Sequence, residues 1–185
     1  GISLSTEIGK ACYIPIGHKS KGCHQKESVI KKLKPILEDK SVKKIGQNIK
    51  FDFIVLYKQG IKMSSMEDTM LMSYVLDAGK NRHNMDTLSE IHLSHKTISF
   101  KDLVGTGKKE INFSDVELDK AMEYAAEDAD ITYRLYKIFN KNLKLEKLKN
   151  IYEIFEKPLI EILAFMEING IKIDSKFLKD LSLKF

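Results

Sequence analysis

Two pairs of polar residues lie four positions apart: Asn48 with Asp52, and Tyr124 with Asp128. On a helix that separation puts both members of a pair on one face. Carboxylates are ligands for hard divalent cations such as magnesium or manganese, while an amide can hydrogen-bond a phosphate or steady a neighbouring carboxylate. If Asp52 and Asp128 meet around such ions, the chemistry they suit is metal-assisted attack of water on a phosphodiester. The phenol of Tyr124, with a reference pKa of about 10, is a poor base near neutrality and is better suited to orienting the water. Glu127 and Asp130 flank Asp128 and compete for the acidic role, and each pair taken alone also fits an ordinary solvated helix face.

The elements that must hold these residues follow from the apolar pattern. Gly1 to Leu4 and Ala11 to Ile16 read as strands joined by the Glu7-Ile8-Gly9-Lys10 turn, and Val29 to Leu37 is apolar at helical intervals. Val42 to Ile45 reads as a short strand, after which Gly46 permits a sharp entry into a segment from Asn48 to Tyr57. A strand at Ile61 to Met63 is expected before a helix led by Asp68 and running through Leu76. Gly79 to Met85 reads as a loop, Thr87 to Ile91 as a short helix and Ser99 to Phe113 as a loop-rich stretch. Val116 to Leu135, continuing toward Phe139, is a strongly amphipathic helix. The alternation predicts a mixed α/β domain rather than a bundle. A charged bridge, Lys141 to Lys149, leads to a helix over Phe155 to Glu167 with Pro158 near its start, a stop at Asn169-Gly170 and an extended Ile171 to Asp174.

With 185 residues, 43% of them hydrophobic, the chain can bury one substantial core, or one domain and the start of a second. The formal charge of +5 comes almost entirely from lysine, Arg82 and Arg134 being the only arginines. Such a balance favours encounter with a polyanion such as DNA without marking a groove. Cys12 and Cys23 do not make a disulfide framework in a chain this long, and with His18 and His24 they lack zinc-ligand spacing; His92 and His95 have no second ligand pair. No apolar run is long enough to span a membrane, and Gly1-Ile2-Ser3-Leu4 begins in strand-like alternation rather than a signal peptide, so a cytoplasmic location is expected.

The segment Lys43-Lys44-Ile45-Gly46-Gln47-Asn48-Ile49-Lys50-Phe51-Asp52 resembles the second exonuclease motif of the bacterial DNA polymerase I family (family A). Tyr124-Ala125-Ala126-Glu127-Asp128-Ala129-Asp130 resembles the third, in the tyrosine form of the DEDD 3'-5' exonuclease superfamily. Arg82-His83-Asn84-Met85-Asp86-Thr87-Leu88 and His95-Lys96-Thr97-Ile98-Ser99-Phe100 are similar to the polymerase-associated version of the connecting region. The resemblance implies an α/β, ribonuclease H-like fold with a mixed central sheet and a two-metal site for Mg2+ or Mn2+. In it Asp52 and Asp128 are the metal ligands and Tyr124 orients the hydrolytic water. It also implies that Gln47, Asn48, Arg82 and Phe100 lie near the single-stranded 3' end of DNA, with Arg82 pairing to phosphate and Phe100 contacting a base or sugar.

The family also carries an Asp-x-Glu motif on an early central strand, and no such motif precedes Ile2-Ser3-Leu4; Glu7, in the next hairpin, is not its substitute. The expectation is a sheet without its first strand and an isolated chain with little or no exonuclease activity. Residues 1–150 are expected to form an N-terminally incomplete 3'-5' exonuclease domain. Residues 151–185, where Phe155-Glu156-Lys157-Pro158-Leu159 and Met166 to Asp174 resemble the entry into a family A polymerase domain, are expected to begin another. In a complete enzyme this region would remove mismatched nucleotides from single-stranded or frayed 3' ends. Two alternatives stay open: a noncatalytic DNA-binding or structural remnant, and ribonuclease D-like RNA 3' processing. The sequence carries no signal for oligomeric state.

Overall fold

Gly9, at φ +77°, takes the left-handed conformation that a side chain resists, and so closes a hairpin between strands β1 (Ile2–Glu7) and β2 (Lys10–Ile14). The strands are antiparallel, with an irregularity in register between Ser5 and Glu7. This structure, a computed structural model, describes residues 1–19, 23, 26–107 and 110–184; His24 lies outside the described residues. Helix α1 (Lys26–Glu38) leads to β3 (Lys44–Gly46), α2 (Ile49–Tyr57) and β4 (Met66–Asp68), which pairs in parallel with β3. Then follow α3 (Thr69–Asp77), α4 (Met85–Leu93), α5 (Phe100–Val104), a 3-10 turn at Phe113–Asp115 and the long α6 (Leu118–Leu145). A short α7 (Lys149–Ile151) passes through a π-helical turn, Tyr152–Glu156, into α8 (Lys157–Asn169), and α9 (Ser175–Ser182) ends the described chain.

The mixed α/β architecture agrees with the sequence reading, the sheet being present among the described residues as two two-stranded sheets. Helix α6 unites them, since β1, β2 and β3 all pack on it, together with α3 and α4. Its inward stripe, Ala121, Ala125, Ile131, Leu135, Tyr136, Phe139 and Leu143, is buried. The lower part of that stripe closes a core with Met72, Leu88 and Tyr152. A second core joins Ile49 and Phe53 of α2 to Met63, Met66 and the buried Ile160 and Ala164 of α8.

Three local expectations are corrected. Ile61 and Met63 are buried but form a loop, with the Ile61 N–H donating to the Leu56 carbonyl at 3.1 Å, and the strand forms at Met66–Asp68 instead. The stretch read as loop-rich contains the helix Phe100–Val104. The charged bridge is in part helix, because α6 runs on to Leu145: charged residues tolerate a helical surface as well as a loop.

Candidate active site

Asp128 occupies the inward stripe of α6, three residues after buried Ala125 and four before buried Thr132, so the helix register itself carries a carboxylate into the protein. Its Oδ1 is buried without a hydrogen-bond partner. Burial, opposed by the Tyr124 hydroxyl and reinforced by the nearby Glu127 and Asp86 charges, pushes the carboxyl up to about 7. Tyr124, one turn earlier, faces the carboxylate, and burial together with the Asp128 charge raises its phenol well above the usual range. That phenol stays protonated at any physiological pH and can orient a water, which removes it as a base.

The two competing acids are committed elsewhere. Glu127 accepts from His95 Nε2 and from the Ile98 N–H, each at 2.7 Å, and so anchors the loop leading into α5. Asp130 accepts from the Gly9 N–H at 2.7 Å and pairs with Arg134 at 2.7 Å, tying the β1–β2 turn to α6. Of the three acids in this motif, Asp128 is the one with a buried oxygen left unmatched.

Asp52 lies in the first turn of α2, and although the residue reaches solvent, its carboxyl sits against enough protein to be pushed up to about 6. Burial is the main cause, partly offset by a backbone hydrogen bond, with the Asp68 charge adding to the rise. The chain enters α2 through Gly46, where a Cβ would meet the Ile49 Cβ at 2.8 Å, and through Asn48, held left-handed at φ 58°, ψ 48°. The charge acting on Asp52 is that of Asp68, whereas those acting on Asp128 are Glu127 and Asp86. The structure thus forms two acidic neighbourhoods, and among the described residues no group of three or more His, Cys, Asp or Glu side chains is gathered for a metal.

The other candidates fall into two sets. Gln47 donates from Nε2 to the His83 carbonyl at 2.7 Å and accepts from the Thr69 hydroxyl at 2.5 Å, so its amide ties the loop carrying exposed Arg82 to the start of α2. Asn48 is exposed and caps no helix with its side chain. Phe100, 46% exposed, lies 5.9 Å from the Tyr124 ring and 6.0 Å from Phe113, stacked on the latter at 19°. Phe113 in turn is 6.1 Å from Tyr124 and 5.4 Å from the His18 ring. Phe113 was missed from the sequence, where it ends a loop-rich stretch; its signal is an isolated aromatic eleven residues before the Tyr124 motif. Asp86 was also missed: it accepts from the Thr97 hydroxyl at 2.7 Å while its charge bears on Asp128 and Tyr124.

No helix among the described residues is long and apolar enough to cross a membrane. A family model described as 3'-5' exonuclease matches residues 1–144. The chain is 42% identical to DNA polymerase I of Rhizobium leguminosarum, over 94% of this chain and 18% of that one. It is 37% identical to DNA polymerase I of Pseudomonas aeruginosa, over 96% and 20%. It therefore spans about a fifth of the length of the curated relatives it matches. Among solved structures, the POL domain of Pol1 from M. smegmatis, in complex with DNA primer-template and dNTP, superposes with a TM-score of 0.69 at 18% identity, over 89% of this chain and 25% of that one. At that identity the likeness supports the fold.

Proposed function

From the premise that this chain belongs to the 3'-5' exonuclease family of DNA polymerase I, we propose that it contributes the hydrolytic site removing 3'-terminal nucleotides from single-stranded or frayed DNA. The observation that carries the reading is the buried, unpartnered Oδ1 of Asp128 facing Tyr124. A buried carboxylate oxygen without a donor is costly unless the group takes up a proton or a cation accompanies it; on this reading the cation is a hard divalent ion, with Asp128 and Asp52 as its ligands. Bound there, Mg2+ or Mn2+ would polarise the phosphodiester and lower the pKa of an attacking water.

The protein's own residues do the rest. The protonated Tyr124 hydroxyl orients the water through its hydrogen bond. Phe100 and Phe113 offer a face against which an unpaired terminal base stacks, an interaction indifferent to base identity. Arg82 meets a phosphate, and Gln47 holds the Arg82 loop at a fixed place relative to α2 rather than touching DNA itself. Asn48 is exposed in the left-handed turn that opens α2, outside the helix that carries Asp52, and is available to the scissile region. The Asp-x-Glu motif is not among residues 1–185 ahead of Ile2, so the isolated chain has weak or no turnover on this reading. Residues 151–185 form the entry to a polymerase domain, although α8 already packs on α2.

The test compares this chain with one extended upstream through its own coding sequence, on 3'-labelled single-stranded DNA and RNA in Mg2+ or Mn2+. The expected result is metal-dependent release of single nucleotides from DNA ends by the longer chain, lost in D128N. Preference for RNA ends would replace the reading with a ribonuclease D-like one. DNA binding without turnover, unchanged by chelation, would leave a noncatalytic module.

A further inference from the structure

Asp68, the last residue of β4, is 1% exposed, and its carboxylate serves two helices at once. Oδ1 accepts from the N–H groups of Met70 at 2.8 Å and Leu71 at 3.4 Å, the ordinary work of an N-cap for α3. The same oxygen accepts from the Asn48 N–H at 3.1 Å, and Oδ2 accepts from the Ile49 N–H at 2.9 Å. Helix α2 therefore has its first donors satisfied by a residue twenty positions downstream, its own N-cap, Asn48, making no side-chain capping bond. The first N–H groups of a helix have no partner within it, and a left-handed non-glycine residue is disfavoured unless its surroundings hold it. Asp68 supplies both constraints. It is itself fixed from behind, its own N–H donating to the Tyr152 hydroxyl at 2.9 Å in the π-helical turn that leads into α8.

We propose that Asp68 is a positioning residue for the nuclease site: by holding the Asn48 turn and the first turn of α2, it sets the direction from which Asp52 meets a divalent cation. The proposal rests on the nuclease reading above. One bond of this set stands apart: Met70, Leu71 and Asn48 share Oδ1, while Ile49 alone uses Oδ2, so the hold on the first turn of α2 can be weakened without touching the α3 cap. In Asp68→Asn the amide oxygen keeps the three donors, and the amide NH2 is turned against the Ile49 N–H. The variant retains the α3 cap and the bond from the Asn48 N–H, and loses the bond to Ile49 at the first turn of α2.

The experiment is amide NMR on the full 185-residue chain, wild type and D68N, titrated with Mn2+, with hydrogen exchange measured on the same samples. In D68N the Met70 and Leu71 amides stay at wild-type exchange rates, the Ile49 amide exchanges about 10-fold faster or more, and the Mn2+ concentration that half-broadens the α2 amides rises about 10-fold. The midpoint for amides around Tyr124 shifts less. A wild-type chain broadened by Mn2+ and a D68N chain with the same α2 midpoint overturn the proposal alone. No broadening in either helix of the wild type overturns the nuclease reading and the proposal with it. Should D68N fail to fold, the wild type decides. Ile49 and Leu118 each open a helix whose N-cap makes no side-chain bond, so the tie to Asp68 requires the Ile49 amide to exchange at least about 10-fold more slowly than that of Leu118. Equal rates overturn the proposal.

Discussion

Asp52 and Asp128 sit in motifs of the same spacing, yet the protein positions them by different means. Asp128 is placed by register: the 28-residue α6 carries it inward between buried Ala125 and Thr132, on the helix whose Ile131 and Leu135 enter the core. Asp52 is placed by a turn: three unusual residues, Gly46, Asn48 and the distant Asp68, aim a nine-residue helix whose back is clamped by α8. The contrast teaches that identical i,i+4 spacing leaves open whether secondary structure or tertiary ties set the geometry. It also assigns different vulnerabilities to the two halves of the proposed site.

The largest effect is expected at Asp128. In the extended chain, D128N should lower kcat by on the order of 10²-fold or more. In the 185-residue chain without metal it should raise the melting temperature at pH 8, because it removes a charge that burial disfavours. A drop in stability at pH 8 would break the view that this carboxylate waits for a cation. Tyr124→Phe should come next, with kcat reduced about 10- to 100-fold at little change in KM, since orientation of the water is lost while DNA contacts persist. A change confined to KM would make Tyr124 a DNA contact instead.

Acidity separates the halves more finely. Both carboxyls lie above their ordinary range when folded, so between the unfolded value of about 4 and the folded ones the native chain holds protons that the unfolded chain has released. Their stabilising contribution is complete below the unfolded value and is lost as pH rises through about 6 for Asp52 and about 7 for Asp128. Metal-free denaturant titrations should thus show stability from these groups falling across that window, saturating Mg2+ should flatten the slope, and D128N should remove its upper portion. A metal-free slope of opposite sign would contradict the assignment. On the turn side, Gly46→Ala should cost about 1–3 kcal/mol, as its methyl group meets Ile49, and should disturb α2 more than α6. An effect of similar size, but on DNA binding alone, is expected of Phe113→Ala, which should weaken single-stranded DNA binding, read by fluorescence anisotropy, by about 1–3 kcal/mol while leaving the Mn2+ affinity of the chain unchanged.

Much of this was legible in the residues. The third motif was readable because one long amphipathic helix carries it, but choosing Asp128 over Glu127 and Asp130, whose side chains are also largely buried, took the partners that the fold gives the other two: His95 and Ile98 for Glu127, Gly9 and Arg134 for Asp130. The second motif was legible in type and spacing. Its geometry was not, since the tie from Asp68 to Asn48 and Ile49 crosses twenty positions and the sequence shows Asp68 only as a helix cap. The same holds for Gln47, whose amide points to internal partners that no local pattern announces. The strand expected at Ile61–Met63 failed because burial of alternate apolar residues in a loop looks like a strand face, and Phe113 was hidden because its stacking joins separate elements whose spacing follows no helix or strand period.

The claim on which the rest depends is that Asp52 and Asp128 serve a common cation site from their two neighbourhoods. Mn2+ broadening followed at amides of α2 and α6 in the wild type and in D128N tests it directly. The account predicts coincident midpoints in the wild type and a shift of both to higher Mn2+ in D128N; independent midpoints, with α2 unmoved by the loss of Asp128, would contradict it.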